Sequence, residues 1–97
     1  MIEDASLAGQ DRHTPLSERS LSKLRWRCRR GLLENDLFIE RFFGRHETRL
    51  TVGQARGLYT LMDLADNDLL DLLLRRTELQ PEIGTEEVRE VLDMLRA

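Results

Sequence analysis

Apolar residues recur along this chain at three- and four-residue intervals in five separate stretches, and nowhere do they alternate at every second position. That spacing is the signature of helices rather than strands. Leu21, Leu24 and Cys28 form the first stripe. Thr14 followed by Pro15 predicts an N-cap and a first helical residue, so the helix is expected to run from Thr14 to about Arg29, with Gly31 ending it. The second stretch, Leu33 to Phe43, predicts a helix with Leu33, Leu37 and Phe42 or Phe43 inward, stopped by Gly44. A short polar turn, Arg45 to Leu50, leads to Thr51-Val52-Gly53-Gln54, the pattern of a capping box. The third helix it opens carries Val52, Ala55, Leu58, Tyr59 and Met62 on one face. Asp66-Asn67-Asp68 interrupts the apolar pattern with capping residues. A fourth helix follows from Leu69 to about Arg75, apolar on most sides through Leu69, Leu70, Leu72, Leu73 and Leu74, which predicts a central position. Pro81 and Gly84 bracket a turn, Thr85 caps, Glu86 and Glu87 fill the first helical turn, and Val88, Val91, Leu92 and Leu95 make the last stripe.

The fold class is therefore all-α, a single compact bundle of five short helices over residues 14–97, preceded by a flexible tail, residues 1–13, that is polar and without period. The expected core includes Leu24, Leu37, Phe42, Leu58, Met62, Leu73 and Leu92. With 97 residues the chain makes one domain, burying about 60–65% of its extended surface.

Charge changes the picture more by its distribution than by its total. The net charge is only -3, which gives no support to general binding of nucleic acid or a membrane surface. Residues 1–62 hold 11 Lys/Arg against 8 Asp/Glu, a net +3, while residues 63–97 hold 4 against 10, a net -6. Much of the basic excess lies in one run, Arg19, Lys23, Arg25, Arg27, Arg29 and Arg30, opposed there only by Glu18. The single cysteine, Cys28, excludes an internal disulfide and suits a reducing compartment. No apolar run reaches the ~18 residues that span a bilayer, and the acidic N-terminus resembles neither a secretory signal nor a transit peptide. The bacterial cytoplasm is the expected location.

The junction Arg29-Arg30-Gly31-Leu32-Leu33-Glu34 is the densest candidate chemistry. On one continuous helix Arg30 and Glu34 form an i, i+4 pair worth only about 0.2–0.5 kcal/mol, a common surface feature. Across a glycine break, the same residues become a recognition patch: Gly31 allows close backbone approach, Arg30 offers a planar fork for carboxylate or phosphate, and Glu34 sits at a helix start. Trp26, off the apolar stripe, reads as a packing lid over the core or as an exposed contact residue. Cys28 shares the stripe of Leu21 and Leu24 and reads as a buried structural residue. His13 and His46 lack a third ligand at metal-site spacing. Asp63, Asp66, Asp68 and Asp71 lack the spacing and glycine of a calcium loop, and most of them are expected as helix caps.

With its flanks, Trp26-Arg27-Cys28-Arg29-Arg30-Gly31-Leu32-Leu33-Glu34-Asn35-Asp36-Leu37 and then Phe42-Phe43, this junction resembles the FAD assembly factor family of succinate dehydrogenase. A second block, Leu61-Met62-Asp63 through Asp66-Asn67-Asp68-Leu69-Leu70, extends the resemblance, which departs from the family at Asn35 and Leu72, where leucine and tryptophan are usual. It implies a non-catalytic chaperone that binds the flavoprotein subunit of succinate dehydrogenase, and of fumarate reductase, and promotes covalent attachment of FAD to a histidine there. The implied partner-binding residues are Trp26, Arg29, Arg30, Gly31, Glu34 and Asp36. FAD is expected to belong to the client, with no cofactor or metal held tightly by this chain, which is expected to be a monomer. Two other classes stand beside this one: a helical adaptor or antitoxin-like protein using the basic first helix on an acidic partner, and a small enzyme using Cys28 or Glu34.

Overall fold

The computed structural model describes residues 7–29 and 33–97. Five α-helices follow in order: α1 Glu18–Arg27, α2 Leu33–His46, α3 Val52–Met62, α4 Asp66–Leu73 and α5 Glu86–Arg96, with a 3-10 turn Glu47–Arg49 between α2 and α3. Among the described residues the only extended pairing is one antiparallel bridge, Pro15 with Thr51. The all-helical class and the single core are as the periodicity predicts.

The centre of the structure is the pair α3 and α5, and glycine sets how closely they meet. A Cβ on Gly57 would lie 2.5 Å from the Glu87 carbonyl oxygen, and one on Gly53 would lie 2.9 Å from the Arg12 Cβ. Both residues belong to α3, four apart, so one face of that helix is backbone, and the start of α5 and the N-terminal segment lie directly upon it. On its other sides α3 buries Val52, Ala55, Leu58, Tyr59, Leu61 and Met62. The Thr51 capping box is complete, its hydroxyl accepting from the Gln54 N–H and the Gln54 side chain accepting from the Thr51 N–H. On α5, Thr85 caps and Val88, Val91, Leu92 and Leu95 are all buried.

Residues 7–13, expected in a mobile tail, are packed against this pair. Leu7 is 1% exposed. The Arg56 guanidinium donates to the Leu7 and Gln10 carbonyls at 3.1 and 2.9 Å and to Glu87 at 2.8 Å, while Arg12 reaches Glu86 at 3.0 Å. The Glu86 hydrogen bond raises the pKa of Arg12 above its ordinary value despite desolvation, with Glu87 and Glu90 adding to the effect. A polar, aperiodic segment has no internal helix to form, yet it finds backbone and carboxylate partners that only the assembled α3–α5 pair supplies. For the same reason Thr14 and Pro15 do not start α1. The Val52 N–H donates to the Thr14 carbonyl and the Leu16 N–H to the Leu50 carbonyl, so the strap stays extended and Ser17 becomes the N-cap, accepting from the Ser20 N–H.

Helix α4 begins at Asp66, earlier than the expected Leu69, behind an Ala65 N-cap that has no side-chain bond. Asp66 and Asp68 lie in its first turn, where carboxylates favour the helix dipole. Leu69, Leu72 and Leu73 are buried, but Leu74 is exposed. Helix α2 packs on α4 and α5. Its Arg41 and Arg45 donate to the Leu95 and Ala97 carbonyls, placing positive charge where α5 leaves carbonyls without helical partners. Among the described residues no helix is long and apolar enough to cross a membrane.

Two substitutions to alanine separate the roles of glycine. Gly57→Ala should lower unfolding free energy by about 1–3 kcal/mol, since α5 must move away. Gly44→Ala, inside α2 with nothing within 4 Å of its Cβ position, should raise it by about 0.4–1 kcal/mol. Urea denaturation reads both. In the same assay Leu7→Ala should cost about 2–5 kcal/mol, the effect of a buried truncation.

Candidate functional site: the cleft between the first two helices

Helix α1 packs chiefly on α3 and α2 on α4 and α5, so the first two helices diverge and leave a cleft of about 840 Å³ between them. The run of basic residues on α1 divides into roles there. Arg27 donates to the Met62 carbonyl at 2.9 Å and to Asp63 at 3.1 Å, tying the end of α1 to the end of α3. Arg25 pairs with Glu47 and lies 5.4 Å from the Phe43 ring centroid. Arg29 is exposed, its guanidinium carbon 5.4 Å from the Trp26 ring. Two of the arginines that suggested a basic recognition face thus hold α1 in place against carboxylates of the same chain.

Trp26 is 72% exposed. It is not a lid over the core: it lines the cleft as a contact surface. Cys28, by contrast, is buried, as its stripe predicts. On α2 the buried face is Asn35, Ile39, Phe42 and Phe43. Leu33 and Leu37, expected inward, are 66% and 61% exposed. Two apolar stripes compete on this helix, and the aromatic pair decides, because Phe42 and Phe43 bury more area than two leucines. The winning stripe starts with a polar residue: Asn35 is fully buried and donates to the Asp66 carbonyl at 3.0 Å, fixing the start of α2 to the start of α4. Gly44 does not stop α2, which continues to His46. His46 sits beside the Phe42 ring at 5.4 Å, and no cluster of His, Cys, Asp or Glu fit to hold a metal occurs among the described residues.

Glu34 is exposed and Asp36 half-buried, both in the first turn of α2, where the dipole favours their charge. Arg30 and Gly31 lie outside the described residues. Of the expected contact residues, the structure thus brings Trp26, Arg29 and Asp36 to one cleft and sets Glu34 on the helix that forms its second wall. Leu33, Leu37 and Glu40 are additions. Their signal in the sequence is the second stripe of α2, at positions 33, 37 and 40, which the buried stripe makes redundant for the core.

Apolar and charged side chains displayed together around an open cleft form the kind of surface that marks an interaction site. The family model described as "Flavinator of succinate dehydrogenase" matches residues 22–97, and the chain belongs to that family. Similar proteins include "FAD assembly factor SdhE" of Ralstonia nicotianae, 53% identical over 76 residues, covering 78% of this chain and 80% of the relative. The protein of the same name from Legionella pneumophila (strain Paris) is 33% identical over 81 residues, covering 84% and 96%. "Succinate dehydrogenase assembly factor 2, mitochondrial" of Dictyostelium discoideum is 30% identical over 91 residues, covering 93% of this chain and 64% of the relative. No solved structure matches the chain.

Because Trp26 and Leu37 face solvent, Trp26→Ala and Leu37→Ser should each change unfolding free energy by at most about 1 kcal/mol, against the ~3–5 kcal/mol of a buried tryptophan. Urea denaturation distinguishes the two.

Proposed function

We propose that this chain binds the flavoprotein subunit of succinate dehydrogenase and promotes covalent attachment of FAD to it, without performing the chemistry itself. One observation carries the reading beside family membership. Of the four exposed large hydrophobic residues among those described, three, Trp26, Leu33 and Leu37, lie in the last turn of α1 and the first turns of α2, before, within and after the Arg30-Gly31-x-x-Glu34 motif in the sequence. A chain of this size gains stability by burying such residues; leaving them exposed around a charged motif suits a surface that a partner covers.

In this reading the flavin is the client's, and the factor contributes geometry. Binding that fixes the client in the conformation in which flavin and acceptor side chain meet lowers the entropy cost of reaction without supplying a catalytic group. Arg29, Arg30, Glu34 and Asp36 provide directional polar contacts, Trp26, Leu33 and Leu37 the apolar area, and Gly31 room for close approach. Of the two groups offered by the rival small-enzyme reading, Cys28 is a buried core residue and Glu34 stands exposed on α2. The basic-helix adaptor loses part of its surface, since Arg25 and Arg27 pair with Glu47 and Asp63.

Complementation of an assembly-factor deletion strain tests this directly. The wild-type chain should restore covalent flavin on the flavoprotein, read by in-gel fluorescence. Glu34→Ala and Arg30→Ala at matched expression should lower that fluorescence, while changing the factor's own stability by no more than about 1 kcal/mol. Failure of the wild-type chain to raise covalent flavin would overturn the proposal.

A further inference from the structure

The cleft holds an unbalanced charge that points to what enters it. Asp36 and Glu40, four residues apart on α2, both line it, and neither has an ion-pair partner among the described residues. Their neighbours three and four positions away within α2 are Leu33, Leu37, Ile39, Phe43 and Gly44, none cationic, so two like charges share one wall in the arrangement that weakens a helix. Among the described residues lining the cleft, Arg25 pairs with Glu47 and Arg29 stacks on Trp26, so two arginines stand against Asp36, Glu40 and Glu47 and one negative charge is left over. Beside Asp36 and Glu40 on the α2 wall the cleft is open at Gly44, where a Cβ would meet nothing within 4 Å. Trp26 leaves most of its ring uncovered, and an indole face is the strongest aromatic partner for a cation.

We propose that this cleft seats a basic side chain, lysine or arginine, carried on an apolar-flanked segment of the flavoprotein subunit. Its charge lies between Asp36 and Glu40, and its alkyl stem lies along Trp26 and Phe43. An anionic group in the same place would face two carboxylates, with Arg25 already paired to Glu47 and only Arg29 among the described lining residues to receive it. The inference rests on the flavoprotein being the partner and names the chemistry by which it is recognised.

The test measures the dissociation constant of the full chain for the purified flavoprotein subunit at two salt concentrations. The double variant Asp36→Asn/Glu40→Gln removes the charge and keeps the shape; it should bind at least tenfold more weakly at low salt and lose most of the wild-type salt dependence. Gly44→Leu puts a branched side chain into the open space beside these carboxylates and should weaken binding at both salt concentrations. Thermal unfolding of each variant confirms the fold. Both variants binding within twofold of a wild type that does bind would overturn the cleft proposal and leave the function standing. Weaker binding of the neutral double variant with unchanged salt dependence would overturn the basic occupant. Unaltered binding by Gly44→Leu would overturn the cleft as its seat. A wild-type chain that does not bind the flavoprotein removes the proposed function and this inference together.

Discussion

The close approach of α5 to the bare face of α3 is the constraint on which the other contacts depend. With Gly57 touching the backbone of Glu87, the start of α5 comes within reach of Arg56, and Arg56 then has both a carboxylate from α5 and two carbonyls from the N-terminal strap to satisfy. Gly53 performs the same service for Arg12, whose guanidinium returns to Glu86 on α5. One pair of absent side chains thus sets a helix spacing, and that spacing lets two arginines join three segments. A wider separation would take Glu87 and Glu86 out of reach of Arg56 and Arg12.

The scaffold also explains why α1 and α2 are free to serve a partner. Arg27 fixes one end of α1 to the C-terminus of α3, and Asn35 fixes the start of α2 to α4. Neither tie runs between the first two helices. The cleft is a gap between two walls that are each anchored to the core behind it, with Arg25 reaching across from α1 to Phe43 and Glu47.

Much of this was legible in the residues, for definite reasons. The five helices, the Thr51 capping box, the α5 stripe and buried Cys28 follow from period and capping, which act over a few positions. What escaped depended on distant partners. The extended strap needs Leu50 and Val52 to hold it, so Thr14-Pro15 read as a helix start. The spacing Gly53-x-x-x-Gly57 was visible but has no consequence until α5 is known to lie upon it. On α2 two stripes stood two residues apart, and an asparagine at the head of the buried one made the exposed leucines look like core. The motif itself was read from Arg30, Gly31 and Glu34. Of these, the structure describes Glu34 alone, and the cleft beside it came from Trp26, Asp36 and Glu40.

The chain has a single tryptophan, and it stands at the cleft with its ring largely in water, while the single tyrosine is enclosed in the core. The protein is thereby its own optical probe. Indole emission moves to shorter wavelength when water is excluded from the ring, so occupation of the cleft is written into the intrinsic fluorescence without any label. Global unfolding, which exposes the enclosed tyrosine instead, leaves a different spectral trace.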